Sequence, residues 1–151
     1  MIRLAAMNAE DFQKYLTYAI EQYANEHVKS GNWKEEEAYG KAAQEYDVLL
    51  PDGEKTANHH LFTVRDGEQD AGMIWLAEKS ENRGFIFDIN IWEEYQGRGY
   101  GKKAMEEIEI KAKELGLKSI ALHVFGHNGK ARELYEKLGY IITNINMKKE
   151  L

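Results

Sequence analysis

The sequence predicts an α/β domain built on one mixed sheet, and three observations carry that prediction. Apolar residues at three- and four-residue steps fill the N-terminal third, short β-branched and aromatic runs fill the middle, and the C-terminal part alternates between the two patterns. With 151 residues, 43% hydrophobic and 11% aromatic, the chain can bury one sizeable core, and 1–151 reads as a single domain. One proline and no repeat or low-complexity tract leave no linker to divide it.

The elements follow in order. Asn8 stands at a helix-cap position ahead of Phe12, Tyr15, Leu16, Ala19, Ile20 and Tyr23, one helical face that stops at Ser30 and Gly31. A second helix is expected over 33–49, weakened by Gly40 and closed by the turn at Pro51, Asp52 and Gly53. From His60 the period changes: HLFTV and AGMIWLA read as strands joined at Asp66 and Gly67, and FIFDINIW at 85–92 reads as a third. A helix over 101–115 turns Ala104, Met105, Ile108, Ala112 and Leu115 inward and ends at Gly116. SIALHVF at 119–125 is a strand, 129–138 a helix ended by Gly139, and YIITNINM a final strand.

Charge and composition narrow the function. A net charge of −6 and a pI near 5.4 argue against nucleic acid as partner, which a basic surface would recognise. No apolar run approaches the length of a membrane span, and MIRLAAMNAEDF lacks the basic-then-apolar order of a secretory signal, so the expectation is a cytoplasmic protein with no membrane partner. The absence of cysteine removes disulfides, thiolate metal sites and a cysteine nucleophile. His59, His60, His123 and His127 show no ligand spacing, so no metal is expected.

The stretch YQGRGYG at 95–101 joins the strand at 85–92 to the helix at 101–115. A helix start presents unpaired N–H groups and the positive end of the helix dipole, glycine lets the backbone approach closely, and Arg98 adds a full charge: the chemistry suits a phosphate. The spacing is neither G-x-G-x-x-G nor G-x-x-x-x-G-K-[ST], which argues against NAD and ATP. A tight turn needing glycine for geometry alone is the competing reading.

Gln96-Gly97-Arg98-Gly99-Tyr100-Gly101 resembles the Q/R-x-x-G-x-G/A pyrophosphate loop of the GNAT superfamily of acetyl-CoA-dependent N-acetyltransferases. HVFGHNGKARELYEKLGY is similar to the segment of that superfamily in which an Asn precedes a helix ending in L-Y-x-x-x-G-[FY]. Asn128, Ala131, Leu134, Tyr135, Leu138, Gly139 and Tyr140 fall at its spacings. The resemblance, closest to small bacterial members, implies an acyl-CoA N-acyltransferase fold: a mostly antiparallel central sheet flanked by helices. It implies direct transfer of the acetyl group of acetyl-CoA to a primary amine, on a small molecule or peptide. A non-catalytic acyl-CoA-binding sensor is the alternative, and a homodimer is left open.

Residue by residue, the resemblance implies that the backbone of Ile89, Asn90 and Ile91 contacts the acetyl and pantetheine portions. It further implies that Gln96, Gly97, Arg98, Gly99, Tyr100 and Gly101 hold the pyrophosphate, that Asn128 binds the pantetheine arm, and that Tyr135 acts as general acid toward the thiolate. His123 stands where some relatives carry a glutamate base, and a histidine near pKa 6.5 suits proton uptake. Strand alternation would put His123 on one face with Ala121 and Phe125, with Asp88 and Asn90 on the adjacent strand to orient it or an ordered water. Each has a structural counterpart: helix capping for Asn128, core packing for Tyr135, a hydrogen-bonded sheet histidine for His123. IWEEYQ lacks the proline many relatives carry before the loop. The resemblance also implies that the two N-terminal helices wall the acceptor site, a region that holds Tyr15, Tyr18, Tyr23, His27, Trp33 and Tyr39 with Glu35, Glu36 and Glu37; core or half-buried rings and a solvated helix start are the competing reading.

Overall fold

The structure is a computed structural model that describes residues 1–151. Its centre is a five-stranded sheet in the order β1-β2-β3-β4-β5: β1 Ile2–Ala6, β2 His59–Asp66, β3 Gln69–Lys79, β4 Arg83–Ile91 and β5 Ser119–Leu122. The first three pairings are antiparallel, and β4 pairs with β5 in parallel. Helices α1 (Ala9–Lys29) and α2 (Glu35–Leu49) cover one face, while α3 (Tyr100–Glu114) and α4 (Gly129–Lys137) belong to the other.

Alternation along β3 builds two cores. Met73 and Trp75 point to one side and pack with Phe12, Tyr15, Ala42 and Tyr46. Ile74 and Leu76 point to the other and pack with Val64, Ile86, Met105 and Ile108. Every residue from Ala71 to Ala77 is buried, which is why this run reads as nearly continuous apolar sequence. Asn8 caps α1 as its position predicts, its side chain accepting from the Asp11 N–H at 2.8 Å.

The register between β3 and β4 slips once. Trp75 faces Asp88 and Leu76 faces Ile86, leaving Phe87 as the extra residue of a β-bulge. Phe87 and Asp88 therefore both turn toward α1 and α2: Phe87 stacks on Trp75 at 4.6 Å between centroids, and Asp88 accepts from the Tyr15 hydroxyl. The missing proline in IWEEYQ does not prevent the bulge.

Three elements differ from expectation. β1 carries no sequence signal, since IRLAA is short and mixes charge with alanine; pairing with β2 from Ile2↔Asp66 to Ala6↔Phe62 makes it a strand. β5 ends at Leu122 and not at 125, because its ladder with β4 covers only 83–86 against 119–122. YIITNINM is not a strand: no backbone hydrogen bond involves a residue beyond Tyr140. Strand propensity without a neighbouring strand supplies no ladder.

Gly72 is fully buried opposite Ile91, and a methyl group there would overlap the Asn90 carbonyl oxygen. Gly72→Ala is expected to push β4 outward and lower stability by about 1–3 kcal/mol. Chemical denaturation measures it; unchanged stability would mean that β4 is free to move.

Candidate functional site

After Ile86 and Leu122 the parallel strands part. From Phe87 to Ile91, β4 remains bonded to β3 on one edge and has no strand on the other. Such an edge offers alternating N–H and C=O groups to a linear, amide-bearing ligand. Ile89, Asn90 and Ile91, the positions the sequence selects, occupy this bare edge. Ile89 and Ile91 pack toward α3, and the Asn90 amide donates to Asp88 at 3.1 Å.

The strand leads into the glycine loop. The Gln96 amide donates to the Ile91 carbonyl at 2.9 Å, folding the loop back on the strand end. Gly97 and Gly99 take φ of 80° and 77°, the left-handed region that favours glycine. Gly99 is the N-cap of α3 and supplies no side-chain cap. The first turn of α3 contains no acid, whereas α1 has Glu10 and Asp11 there and α2 has Glu35, Glu36 and Glu37. Lys102 and Lys103 occupy that turn instead, and Arg98 lies just before it, anchored on the Glu94 carbonyl and 5.4 Å from the Tyr95 ring centre. This uncompensated positive pole fits a diphosphate.

Two loop residues serve the scaffold. Gly101 packs against Leu134 of α4, where an added methyl would make an ordinary contact at 3.4 Å. The Tyr100 hydroxyl donates to Asp66, which also holds the N-terminal ammonium at 3.1 Å. The Tyr100 bond is the main cause of an Asp66 carboxyl held below its usual range. Tyr100 thus ties the loop to the β2–β3 turn through its side chain.

Beside the bare edge lies a linked group of titratable residues. Asp88 accepts from the Tyr15 hydroxyl at 2.6 Å and from Asn90. Burial pushes its carboxyl up to about 6, against the opposing pull of those donors and the Ile89 amide. Tyr135, half-buried on α4, packs toward the α3-side core with its ring 6.1 Å from Tyr140. Burial, and secondarily the Asp88 charge, raise its phenol to about 12. The Asp88 charge also raises Tyr18 and Tyr46, after burial.

The remaining predicted residues sit nearer the surface. Asn128 caps α4, its side chain accepting from the Ala131 N–H at 3.3 Å, which leaves its amide N–H₂ free. His123 lies beyond the end of β5, exposed, with its ring edge-on to Phe125 at 5.0 Å. The Asp88 carboxylate is bonded to Tyr15 and Asn90 and makes no bond to His123, contrary to the orienting role expected for it. His59 and His60 are elsewhere on β2, bonded to Trp75 and Glu78, and His127 bonds Glu26.

Sequence reasoning gave too little weight to two residues. Asp88 entered it as a partner for histidine, but the bulge makes it a half-buried carboxylate bonded to the buried Tyr15. His27 entered only as one of several residues of the N-terminal helices that would wall the acceptor site: in the structure it stacks on Trp33 at 4.0 Å, meets Phe125 at 5.2 Å, and its Nε2 is buried without a partner. Burial lowers its pKa most, and Glu45 opposes the fall. Its place on the α1 stripe, one turn after Tyr23, was the available signal.

On the α1–α2 side, a cavity of about 630 Å³ is lined by Tyr23, Trp33, Tyr46, Trp75 and Phe87, with Lys41, Gln44 and Glu45 among its polar residues. Phe87 belongs to the bulge, one residue before Asp88. Tyr23 is pushed up to about 12, by burial first and then by Glu45, so the Glu45 carboxylate acts on this wall. Five aromatic rings and a carboxylate form a surroundings suited to an ammonium-bearing molecule.

A model of the Acetyltransferase (GNAT) family matches residues 14–140. The chain is 39% identical over 154 residues to the uncharacterized N-acetyltransferase YycN of Bacillus subtilis (strain 168), across 99% of each. It is 34% identical over 152 residues to YdgE of the same organism, also an uncharacterized N-acetyltransferase, across 98% of this chain and 97% of that one. The crystal structure of YycN superposes with a TM-score of 0.97 at 37% identity, covering 100% of this chain and 99% of the other. A spermidine N-acetyltransferase from Vibrio cholerae, in complex with CoA and spermine, shares the fold at a TM-score of 0.66 and 22% identity, over 95% of this chain and 82% of that one. Matched along nearly its whole length, and carrying the glycine loop at the start of α3 and the α4 segment around Tyr135, the chain belongs to the GNAT acetyltransferase family.

Proposed function

We propose that the protein transfers the acetyl group of acetyl-CoA to a primary amine that enters through the aromatic cavity. The observation that carries this reading is the bare edge of β4 where β4 and β5 part, which leads into the uncompensated N-terminus of α3; the Asp88 charge, felt at Tyr135 after the effect of burial, supports a base and an acid beside it. Acetyl-CoA supplies the activated acyl group as a thioester. Residues 96–101 hold its diphosphate through backbone N–H groups and Arg98, and the edge of Ile89, Asn90 and Ile91 receives the pantetheine amides. The free amide N–H₂ of Asn128 is placed to donate to the same arm.

The base is Asp88 in preference to His123. An ammonium must lose a proton before it attacks, and a carboxylate with a pKa near 6 is ionised at neutral pH yet takes a proton more readily than an ordinary aspartate. Tyr135 stays protonated at neutral pH and gives its proton to the departing thiolate. Glu45 and the rings of Tyr23 and Trp33 hold the body of the amine.

Thiol release from acetyl-CoA over a panel of polyamines, arylalkylamines and amino-acid amides tests the activity, and the cysteine-free chain adds no thiol background. Release with none of them, alongside intact CoA binding, would favour the non-catalytic binding module.

Three outcomes follow for single variants. Gly99→Val should keep the fold, since the added side chain meets open space. It forces a branched residue into left-handed backbone, and calorimetry should show acetyl-CoA affinity reduced far more than affinity for acetyl-pantetheine. Equal affinity for acetyl-CoA in the folded variant would remove the loop from the site.

Tyr135→Phe should lower turnover by roughly 10²–10⁴-fold with little change in acetyl-CoA affinity. Near-normal single-turnover rates, with reduced melting temperature, would return Tyr135 to the core.

Asp88→Asn should move activity and stability in opposite directions. The folded-state pKa, raised from 3.8 to about 6, means that this group's contribution to stability is full below about pH 4 and is lost as pH rises through 6. At about 1.4 kcal/mol per pH unit, the neutral variant should gain at most about 3 kcal/mol above pH 6 and little at pH 4. Its turnover should fall most at low pH and recover as free amine becomes available. A variant less stable at pH 7, or fully active at pH 6.5, would rule out Asp88 as the base.

A further inference from the structure

The aromatic wall of the cavity continues beyond Phe87 onto the far end of the same sheet face. Alternation puts His59 of β2, Lys79 of β3 and Arg83 and Phe85 of β4 on the side of Trp75 and Phe87. His59 and Phe85 are half-buried there, and Lys79 and Arg83 are exposed.

This end of the face is cationic without compensation. Lys79 and Arg83 stand directly opposite each other in the β3–β4 ladder, and neither forms an ion pair. Like charges in that position weaken a sheet, and a bound anion removes the penalty. The adjacent acid, Glu78, alternates to the other face and bonds His60 at 2.7 Å. The Arg83 guanidinium donates only to neutral oxygens, the Ser80 carbonyl at 3.0 Å and the Ser80 hydroxyl at 3.1 Å. The Lys79 ammonium leans back along the wall and lies 4.9 Å from the centre of the Phe87 ring, the residue that precedes Asp88.

His59 adds a neutral donor beside it. The Trp75 indole N–H donates to His59 Nδ1 at 3.0 Å, so the neutral imidazole carries its proton on Nε2, where no protein group accepts it. Burial first, then the charges of Lys79 and His60, lower the His59 pKa and favour that neutral form. Its ring centre is 5.8 Å from that of Phe87, so the imidazole and the Lys79 ammonium border the same ring.

We infer that Lys79 and the Nε2–H of His59 bind a carboxylate at the far end of the acceptor, which makes the acceptor an amine joined to a carboxylate through a flat apolar body; this rests on the acetyl transfer proposed above. An ammonium and one N–H match the two oxygens of a carboxylate. A phosphate dianion would leave an oxygen without a donor and would face Asp88 and Glu45 with twice the charge. Spacing sets the length of the body. Trp75 pairs with Asp88, and Lys79 lies four residues further along β3, about 13 Å away between backbones. The lean of Lys79 over Phe87 shortens that gap, but an α-amino acid, with both groups on one carbon, does not span it. A ring with the two groups at opposite ends does, and it packs against Tyr46, Trp75 and Phe87 in the cavity.

Three amines of one shape test this: 4-(aminomethyl)benzoate, its amide and 1,4-bis(aminomethyl)benzene, each with acetyl-CoA. The benzoate should exceed the other two in kcat/KM by roughly tenfold or more, the weight of one hydrogen bond to a charged group. Lys79→Met, at an exposed position, should erase that preference through KM and leave the amide unchanged, while Lys79→Arg should keep it. A preference for the amide or the diamine, or a benzoate preference that survives Lys79→Met, would overturn the inference. Binding of 4-methylbenzoate, which has no amine to acetylate, separates this site from the transfer reaction. Calorimetry should show saturable binding to the wild type and a loss in Lys79→Met. That result with none of the three amines acetylated would remove the transfer and keep the carboxylate site; no saturable binding, or equal binding by the variant, would remove the site whatever the outcome for transfer.

Discussion

The β-bulge at Phe87 is the constraint on which the rest of the site depends. One extra residue in β4 rotates Phe87 and Asp88 to the α1–α2 face and bends the strand away from β5. From this single register slip come the bare edge at 87–91, the aromatic wall that Phe87 contributes to the cavity and the enclosure of the Asp88 carboxyl against Tyr15. Gly72 supports it from the neighbouring strand, where nothing larger than hydrogen fits against the Asn90 carbonyl. The short ladder of β5 is the same event seen from the other strand.

Helix capping is weakest at the glycine loop. α1 and α2 carry acids in their first turns, α1 has a side-chain cap, and α2 has a capping box between Lys34 and Glu37. α3 starts from an uncapped left-handed glycine with lysines in its first turn. This arrangement is electrostatically unfavourable by itself, and the proposed diphosphate would relieve it. Asp88 follows the same logic. Its carboxyl would be more stable neutral in that position, and a group held in its less comfortable charge state is one ready to accept a proton.

Much of the fold was legible because period reports burial. The face of α1, the runs of β2 to β4 and the glycine stops at Gly116 and Gly139 matched within a few residues, and so did the face of α3 except for Leu115, expected inward but 40% exposed at the helix C-cap. β1 was not legible, because IRLAA becomes a strand only through pairing with β2. The ends of β5 and of the chain misled in the opposite sense: Val124, Ile141 and Ile142 have strand propensity, but propensity cannot supply a neighbour. The site divides in the same way. The glycine loop, Asn128 and Tyr135 lie in contiguous motifs, so they could be proposed from the sequence. The weight of Asp88 over His123 depends on a register slip between strands far apart in sequence, and His27 depends on the packing of 123–127 against α1.

In the proposed reaction the Asp88 charge ties the two proton transfers together. Burial is the larger cause of the raised Tyr135 pKa, and the negative charge of Asp88 adds to it. While Asp88 is ionised, the phenol is held as a weak acid and does not surrender its proton prematurely. Once Asp88 has taken the proton of the incoming amine, that charge is gone and the phenol becomes a stronger acid, at the stage when thiolate begins to leave. The acid is strengthened by the act of using the base. The influence runs one way, from the Asp88 charge to the Tyr135 phenol, so in the proposed order of transfers the acid is called on only after the base has been used.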